Sequence, residues 1–523
     1  MKIEAASADW TAGYVADVGY TYGYYSALNP TQLRLPMLSA GFGFPKIKTA
    51  CELGFGQGVS VNLHAAASDI QWYGTDFNPN QAVFAKDMAA AAGSSARLFD
   101  QAFAEFAQRD DLPEFDFIGL HGIWSWISDD NRRTLVEIFR KRLAVGGVLY
   151  ISYNTNPGWA AFAPMRHLMT EHAEVIGAEG RGIVNRINDA IDFASRLLQT
   201  NPRFAKVNPQ VVERIDALKS QNKHYLAHEY FNRDWHPMHF STMAEWLAPS
   251  KVEFACSAAT LEHIDAINLT EEQRTFLAEI PDPMFRQSVK DFLVNQQFRK
   301  DIWVRGARRL SRHERDHRIR SESVLLLTPP DRIPLKIAGA NGEVELRSEI
   351  YQPILAALGH ATPRTVDELA GQMASHDIGF ELLVESLLVL LGAGHLESVR
   401  PGDQRQEDIL QKCDAVNAFI TRRAISNGDL GYLASPVTGG GVSVSRLKQL
   451  MLLALASGES NAKGVAQSMW HHLSRQGERL VKDTGALTTP EENLAELERL
   501  AEEFLKDEFL TMQTLGILRG SPK

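Results

Sequence analysis

Cysteine is scarce: Cys51, Cys256 and Cys413 are the only three in 523 residues. They lie too far apart for a disulfide framework or a clustered zinc site, and no metal is expected. Long apolar runs are missing too. None approaches the ~20 residues needed to span a bilayer, and the opening MKIEAASADW lacks the apolar core of a signal peptide. Nor is there an excess of positive charge. The 54 basic and 64 acidic residues leave a formal net charge of −10, which disfavours nucleic acid as a general partner. The chain has no low-complexity tract and no repeat of fixed period. What remains is a globular mixture, 44% apolar and 23% charged, long enough for several domains. These features lead us to expect a protein of a reducing compartment, the cytoplasm, without membrane insertion.

The first third alternates strand-like and helix-like segments. Strands are expected at Ile47 to Leu53, Ile70 to Asp76, Ala96 to Asp100, Phe115 to Gly122 and Val148 to Tyr153. Helices are expected at Gly58 to Ala67, Gln81 to Ala92 and Arg132 to Leu143, with a Gly146-Gly147 turn before the fifth strand. This alternation predicts an α/β domain, a doubly wound, Rossmann-like parallel sheet. Beyond about residue 165 the pattern turns to amphipathic helices, such as Val211 to Phe231 and Met284 to Phe298. The basic run Arg299 to Arg320 reads as a solvated helix face. Next, two helices at Thr365 to Met373 and Phe380 to Leu391 precede a wing strand at His395 to Val399, a winged-helix-like pattern. Gly439-Gly440-Gly441 reads as a flexible connector. Thr489-Pro490-Glu491-Glu492 reads as a helix start with proline at the first position. The expected domains are 1–165, with an N-terminal lid helix over 8–45, a helical 166–325, and a helical, winged-helix-like 326–523.

The segment Glu52-Leu53-Gly54-Phe55-Gly56-Gln57-Gly58 stands at a strand-to-helix turn, where glycines let the backbone turn tightly and approach a ligand. Asp76 ends the next strand, where a carboxylate can bind ribose hydroxyls, with Phe77 beside it. A nucleoside-bearing cofactor follows. The dinucleotide fingerprint needs a third glycine where Val59 stands, and a pyrophosphate gains nothing from Glu52. S-adenosylmethionine, with an ammonium, a sulfonium and no phosphate, suits an acidic opener. Asp100 and Gln101 end the third strand, within reach of an adenine edge. Because ligands sit at the carboxyl ends of such strands, His121 and Trp124 are expected to line the transfer site, and Trp126 to serve as core or lid. Asn156-Pro157 follows the fifth strand rather than the fourth, which argues against the amino-methylating motif of adenine-specific DNA enzymes.

His121-Gly122 with Trp124-Ser125-Trp126, then Ser152-Tyr153-Asn154 and Pro157-Gly158-Trp159, resemble a known family. It is the class I S-adenosylmethionine-dependent methyltransferases that carry a methyltransferase regulatory domain. His228-Glu229-Tyr230, Asp291-Phe292 and Phe298-Arg299 resemble that regulatory domain. The resemblance spans about residues 14 to 305. It implies S-adenosylmethionine as cofactor and, through bacterial protein-lysine methyltransferases of outer-membrane surface proteins, a protein-lysine acceptor. The weakly matching C-terminal third leaves two other readings open. One is methylation of a glycan or of a small-molecule hydroxyl or amine; the other is a cofactor-binding protein without turnover.

Lysine attacks only as the neutral amine, so a base or burial is required. His121, Tyr153 and Tyr20 are the candidates. Trp124 offers a face for cation–π attraction to a methylated ammonium. Tyr20 and Tyr24, four apart, would share one face of the lid helix. His224, His228, His236 and His239 are read as structural rather than as a metal site.

Overall fold

A computed structural model describes residues 21–177, 179–402, 406–483 and 485–519. Seven strands form one sheet: β1 (Thr49–Leu53), β2 (Gln71–Thr75), β3 (Arg97–Phe99), β4 (Phe115–Leu120), β5 (Leu143–Asn154), β6 (Val252–Ser257) and β7 (Phe298–Arg305). Their spatial order is β3-β2-β1-β4-β5-β7-β6. The first five are parallel, and β7 runs antiparallel between β5 and β6. Chain order reverses between β1 and β4, so a crevice opens at their carboxyl ends.

Side-chain alternation fixes the register. Ala50 pairs with Phe117, Phe117 with Val148 and Val148 with Val304, and all four lie in the core on one face. Their neighbours Cys51, Ile118, Leu149 and Trp303 fill the core on the other. Shifting any strand by one residue would exchange these sets. Three helices on this sheet matter below: α1 (Pro30–Ser39), α2 (Val59–Ala67) and α3 (Pro79–Ala91). Asn78 caps α3 through its side-chain oxygen, which accepts the Asn80 N–H at 3.0 Å, with proline at the first helical position.

The sheet does not end where the sequence placed the first domain boundary. β6 and β7 come from beyond residue 250, inside the segment read as largely helical. The run from Arg299 is accordingly not one solvated helix face. Its first part is β7, with Arg299 and Asp301 buried, and only Arg312–Arg320 is helical. Those charges hid the strand. They are satisfied internally: the Arg299 guanidinium donates to Asp301 and Asp291, and the Tyr153 hydroxyl donates to Asp301 at 2.7 Å. Val211 to Phe231 is likewise two helices, Gln210–Ser220 and Lys223–Tyr230. Gly146-Gly147 lies inside β5, near an irregularity in its pairing with β4.

Ser323–Leu326 pairs with Arg364–Thr365 and Leu396–Ser398, beside helices Ser348–Leu358, Val366–Met373 and Phe380–Gly392, in a winged-helix-like arrangement. Helix Glu407–Arg423 packs on the sheet domain against α2 and α3, and all nine residues of α2 are buried. Val61 and Ala65 face the sheet core, while Val59, Leu63 and Ala66 meet Ile409, Cys413 and Val416 of helix Glu407–Arg423. Gly439-Gly440-Gly441 is no loose connector. It forms the turn and second strand of a hairpin, Tyr432–Ser435 with Gly440–Ser443. A Cβ on Gly440 would stand 2.5 Å from the Tyr24 hydroxyl. The lid helix expected over 8–45 is, in its described part, a short 3-10 turn at Ser26–Leu28 followed by α1.

Candidate functional site

The loop after β1 turns on glycines with positive φ. At Gly54 (φ +74°) a Cβ would lie 2.7 Å from the Ile123 side chain, and at Gly58 (φ +71°) it would lie 2.5 Å from the Ala85 Cβ. Only glycine meets both demands, left-handed backbone and close approach. This folds the loop beneath a cavity of about 480 Å³, within the range of small-molecule sites.

Two buried carboxylates stand at its floor. Asp76 accepts the Gly56 N–H at 2.8 Å through Oδ2 and the Asn78 N–H at 2.9 Å through Oδ1. Burial pushes its pKa up to about 6 against the opposing pull of these amides. Glu52 is raised well above the usual carboxylate range by burial and by Asp76. Its Oε2 is buried without a hydrogen-bond partner among the described residues. An orphaned acceptor of this kind calls for a donor from a ligand. Together with the glycine cradle, the donor set fits the ammonium and ribose of S-adenosylmethionine.

Glu52, Gly54, Gly56, Asp76, Phe77, Gln101 and His121 all line this cavity. Other sequence candidates sit elsewhere. Gly58 caps α2 and supports the loop by its packing on α3. Asp100 is half exposed and pairs with Lys86. Trp124 is fully buried in the core on the far face of the sheet, its indole N–H 3.3 Å from the Met238 sulfur. The turn after β4 is 3-10, and it directs Trp126, rather than Trp124, to the cavity. Tyr153 points into the buried Asp301–Arg299 cluster, where burial and Asp301 raise its pKa well above that of an ordinary phenol. It does not line the cavity. Tyr20 lies outside the described residues.

His121 reaches the site but is a poor base. Its Nδ1 is 2.7 Å from the Tyr150 hydroxyl, and its ring stacks on Tyr25 at 4.0 Å. Burial, with Lys300 nearby, lowers its pKa to about 3, so the imidazole stays neutral. Tyr25 and Tyr24 diverge: Tyr25 lines the cavity, while the Tyr24 hydroxyl sits 3.1 Å from His64 Nε2, under the C-terminal hairpin.

The opposite wall was missed by sequence reasoning. It is built by Tyr225, Glu229 and Tyr230 of helix Lys223–Tyr230, by Asp234, and by Trp159, Arg214 and Phe298. Arg214 stacks over Trp159 at 4.0 Å and donates to the Tyr230 hydroxyl at 3.2 Å. The blocks Pro157-Gly158-Trp159, His228-Glu229-Tyr230 and Phe298-Arg299 touch this wall, while Tyr225, Arg214 and Asp234 carried no signal in the sequence. In total the described wall carries four carboxylates, Glu52, Asp76, Glu229 and Asp234, against one guanidinium.

Comparisons with known proteins agree with this architecture. Residues 222–305 match the model of a predicted methyltransferase regulatory domain. The uncharacterized protein sll1526 of Synechocystis is 38% identical across 97% of this chain and 99% of its own length. The uncharacterized protein RP789 of Rickettsia prowazekii is 23% identical across 63% of this chain and 59% of its own. PKMT2 from Rickettsia typhi, solved in complex with AdoHcy, is 17% identical. It shares the fold over 95% of this chain and 99% of its own, with a TM-score of 0.67. The chain belongs to one family with sll1526 of Synechocystis, carries the methyltransferase regulatory domain over residues 222–305 and has the fold of class I S-adenosylmethionine-dependent methyltransferases.

Proposed function

We propose that the protein methylates lysine amines of a protein acceptor, a bacterial surface protein modified in the cytoplasm before export. The observation that carries this reading is the charge of the cavity. Its wall carries four carboxylates and one guanidinium, and although Arg233 pairs with Asp234 at 3.6 Å from outside the lining, the wall itself stays acidic. An acceptor that arrives as an ammonium meets that acidity; a glycan hydroxyl has no use for it. The fold shared with PKMT2, which binds AdoHcy, supports the same cofactor here.

When bound, S-adenosylmethionine supplies an electrophilic methyl group on sulfur. Glu52 holds the cofactor's ammonium through the oxygen that lacks a partner, and Asp76 accepts from the ribose hydroxyls. Phe77 and Gln101 flank the adenine, and neutral His121 with Tyr25 packs beside the transfer centre. Glu229 and Asp234 receive the acceptor's ammonium, with Trp126, Tyr225 and Tyr230 around it. Desolvation next to a sulfonium lowers the lysine pKa, and a carboxylate of this pair takes the proton. His121, with its depressed pKa, is not that base. Most of the rate enhancement then comes from positioning.

The test uses isotopically labelled cofactor and a surface-protein fraction, before and after chemical acetylation of its lysines. Label is expected in untreated protein and not in acetylated protein. Label that survives acetylation would contradict the lysine reading.

A further inference from the structure

A second cavity, of about 700 Å³ and open to solvent, adjoins the first. The two share the side chains of Arg214 and Gln297. The geometry points to this outer cavity as the groove that holds the polypeptide main chain flanking the acceptor lysine. The inference rests on the lysine reading above.

An extended lysine side chain carries its amine only about 6 Å from its Cα. If the amine enters the first cavity from the side of Arg214 and Gln297, where the two cavities meet, the Cα stays at that boundary. The flanking residues then occupy the outer cavity. A small metabolite needs no such vestibule.

The groove's chemistry matches a main chain. Asn208, Gln210, Asn295 and Gln297 line it, four primary amides with both donor and acceptor capacity, of which Asn208 already donates to the Phe204 carbonyl at 3.2 Å. Such groups pair with peptide N–H and C=O irrespective of sequence. Pro157 and Phe162 supply apolar surface, and Glu213 offsets Arg214, so the groove has no charge to favour an anionic ligand.

The walls are firmly built. The Gly158 N–H donates to the Gln296 carbonyl at 2.9 Å, and the Trp159 indole N–H donates to the Gln297 carbonyl at 2.8 Å. A Cβ on Gly158 would stand 2.3 Å from the Gln296 carbonyl oxygen, so the two wall segments are in direct contact.

The test pairs Gln210→Ala with Asn295→Gly, glycine being chosen because Asn295 has φ +50°. Transfer is measured to a lysine peptide of about a dozen residues and to N-acetyl-lysine methylamide, which lacks flanking residues. The double variant should lose about tenfold or more in kcat/KM on the peptide, through KM, as expected for two lost hydrogen bonds. Activity on the single-residue acceptor and calorimetric cofactor affinity should not change, which also shows that the variant is folded. Equal losses on both acceptors, or no loss on the peptide, would overturn the groove. A wild-type protein that methylates neither acceptor would overturn the lysine reading, and the groove with it.

Discussion

At the scale of single residues, the two floor carboxylates carry the sharpest expectations. In the folded chain burial lifts the Asp76 pKa from its ordinary 3.8 to about 6. Protonated Asp76 therefore favours the folded, cofactor-free chain fully below 3.8, and this stability is lost as pH rises through about 6. Cofactor binding uses the ionised form and runs the other way. Affinity should fall as pH drops through about 6, and Asp76→Ala should abolish binding; calorimetry across pH checks both. Glu52, held well above the usual carboxylate range by burial and by Asp76, should release protons when a cation binds, seen as heats that vary with the buffer's ionisation enthalpy. Glu52→Gln should remove that variation. Trp124→Ala should cost about 3–5 kcal/mol in urea unfolding, the price of a large core cavity. A variant of normal stability that loses only turnover would contradict its core placement. Glu52 and Asp76 were legible because strand, turn and strand are contiguous in the sequence. Trp124 and Tyr153 were not, since a strand end fixes a residue's position but leaves open which face its side chain takes.

At the scale of elements, the segment before α1 links the cofactor site to the C-terminal region. Tyr25 lines the cavity, and its backbone N–H donates to Ser60 at 2.9 Å. Tyr24, one residue earlier, is pinned between α2 and the hairpin glycines. Gly440→Ala puts a methyl group 2.5 Å from the Tyr24 hydroxyl and 2.7 Å from the Asn29 side chain. It should lower stability by about 1–3 kcal/mol and weaken cofactor binding from outside the cavity, as thermal melts with and without cofactor would reveal. Periodicity gave no hint of this contact, because the three glycines lie more than 400 residues from Tyr24 in sequence. β7 was hidden for another reason. Its Arg299-Lys300-Asp301 run reads as solvated until Asp291 and Tyr153, from other elements, satisfy it.

For the whole molecule, the parallel half of the sheet was legible, and its completion by two strands from beyond residue 250 was not. β6 and β7 complete the sheet, and the C-terminal helices cover α2. A chain ending at residue 405 would expose Leu63 and Ala66, so it should be insoluble or aggregate; a monodisperse truncated protein in light scattering would count against this. The regulatory-domain helix Lys223–Tyr230 puts an acidic, aromatic wall opposite the glycine-rich loop, across one cavity. We propose that this cavity accepts a lysine, and mass spectrometry of a host lysate incubated with the full chain and isotopically labelled S-adenosylmethionine is the direct test. Labelled methyl groups are expected on lysine Nζ of a surface protein, and their loss with a Glu229→Gln, Asp234→Asn variant that still binds cofactor. Label confined to glycans or small metabolites would contradict it.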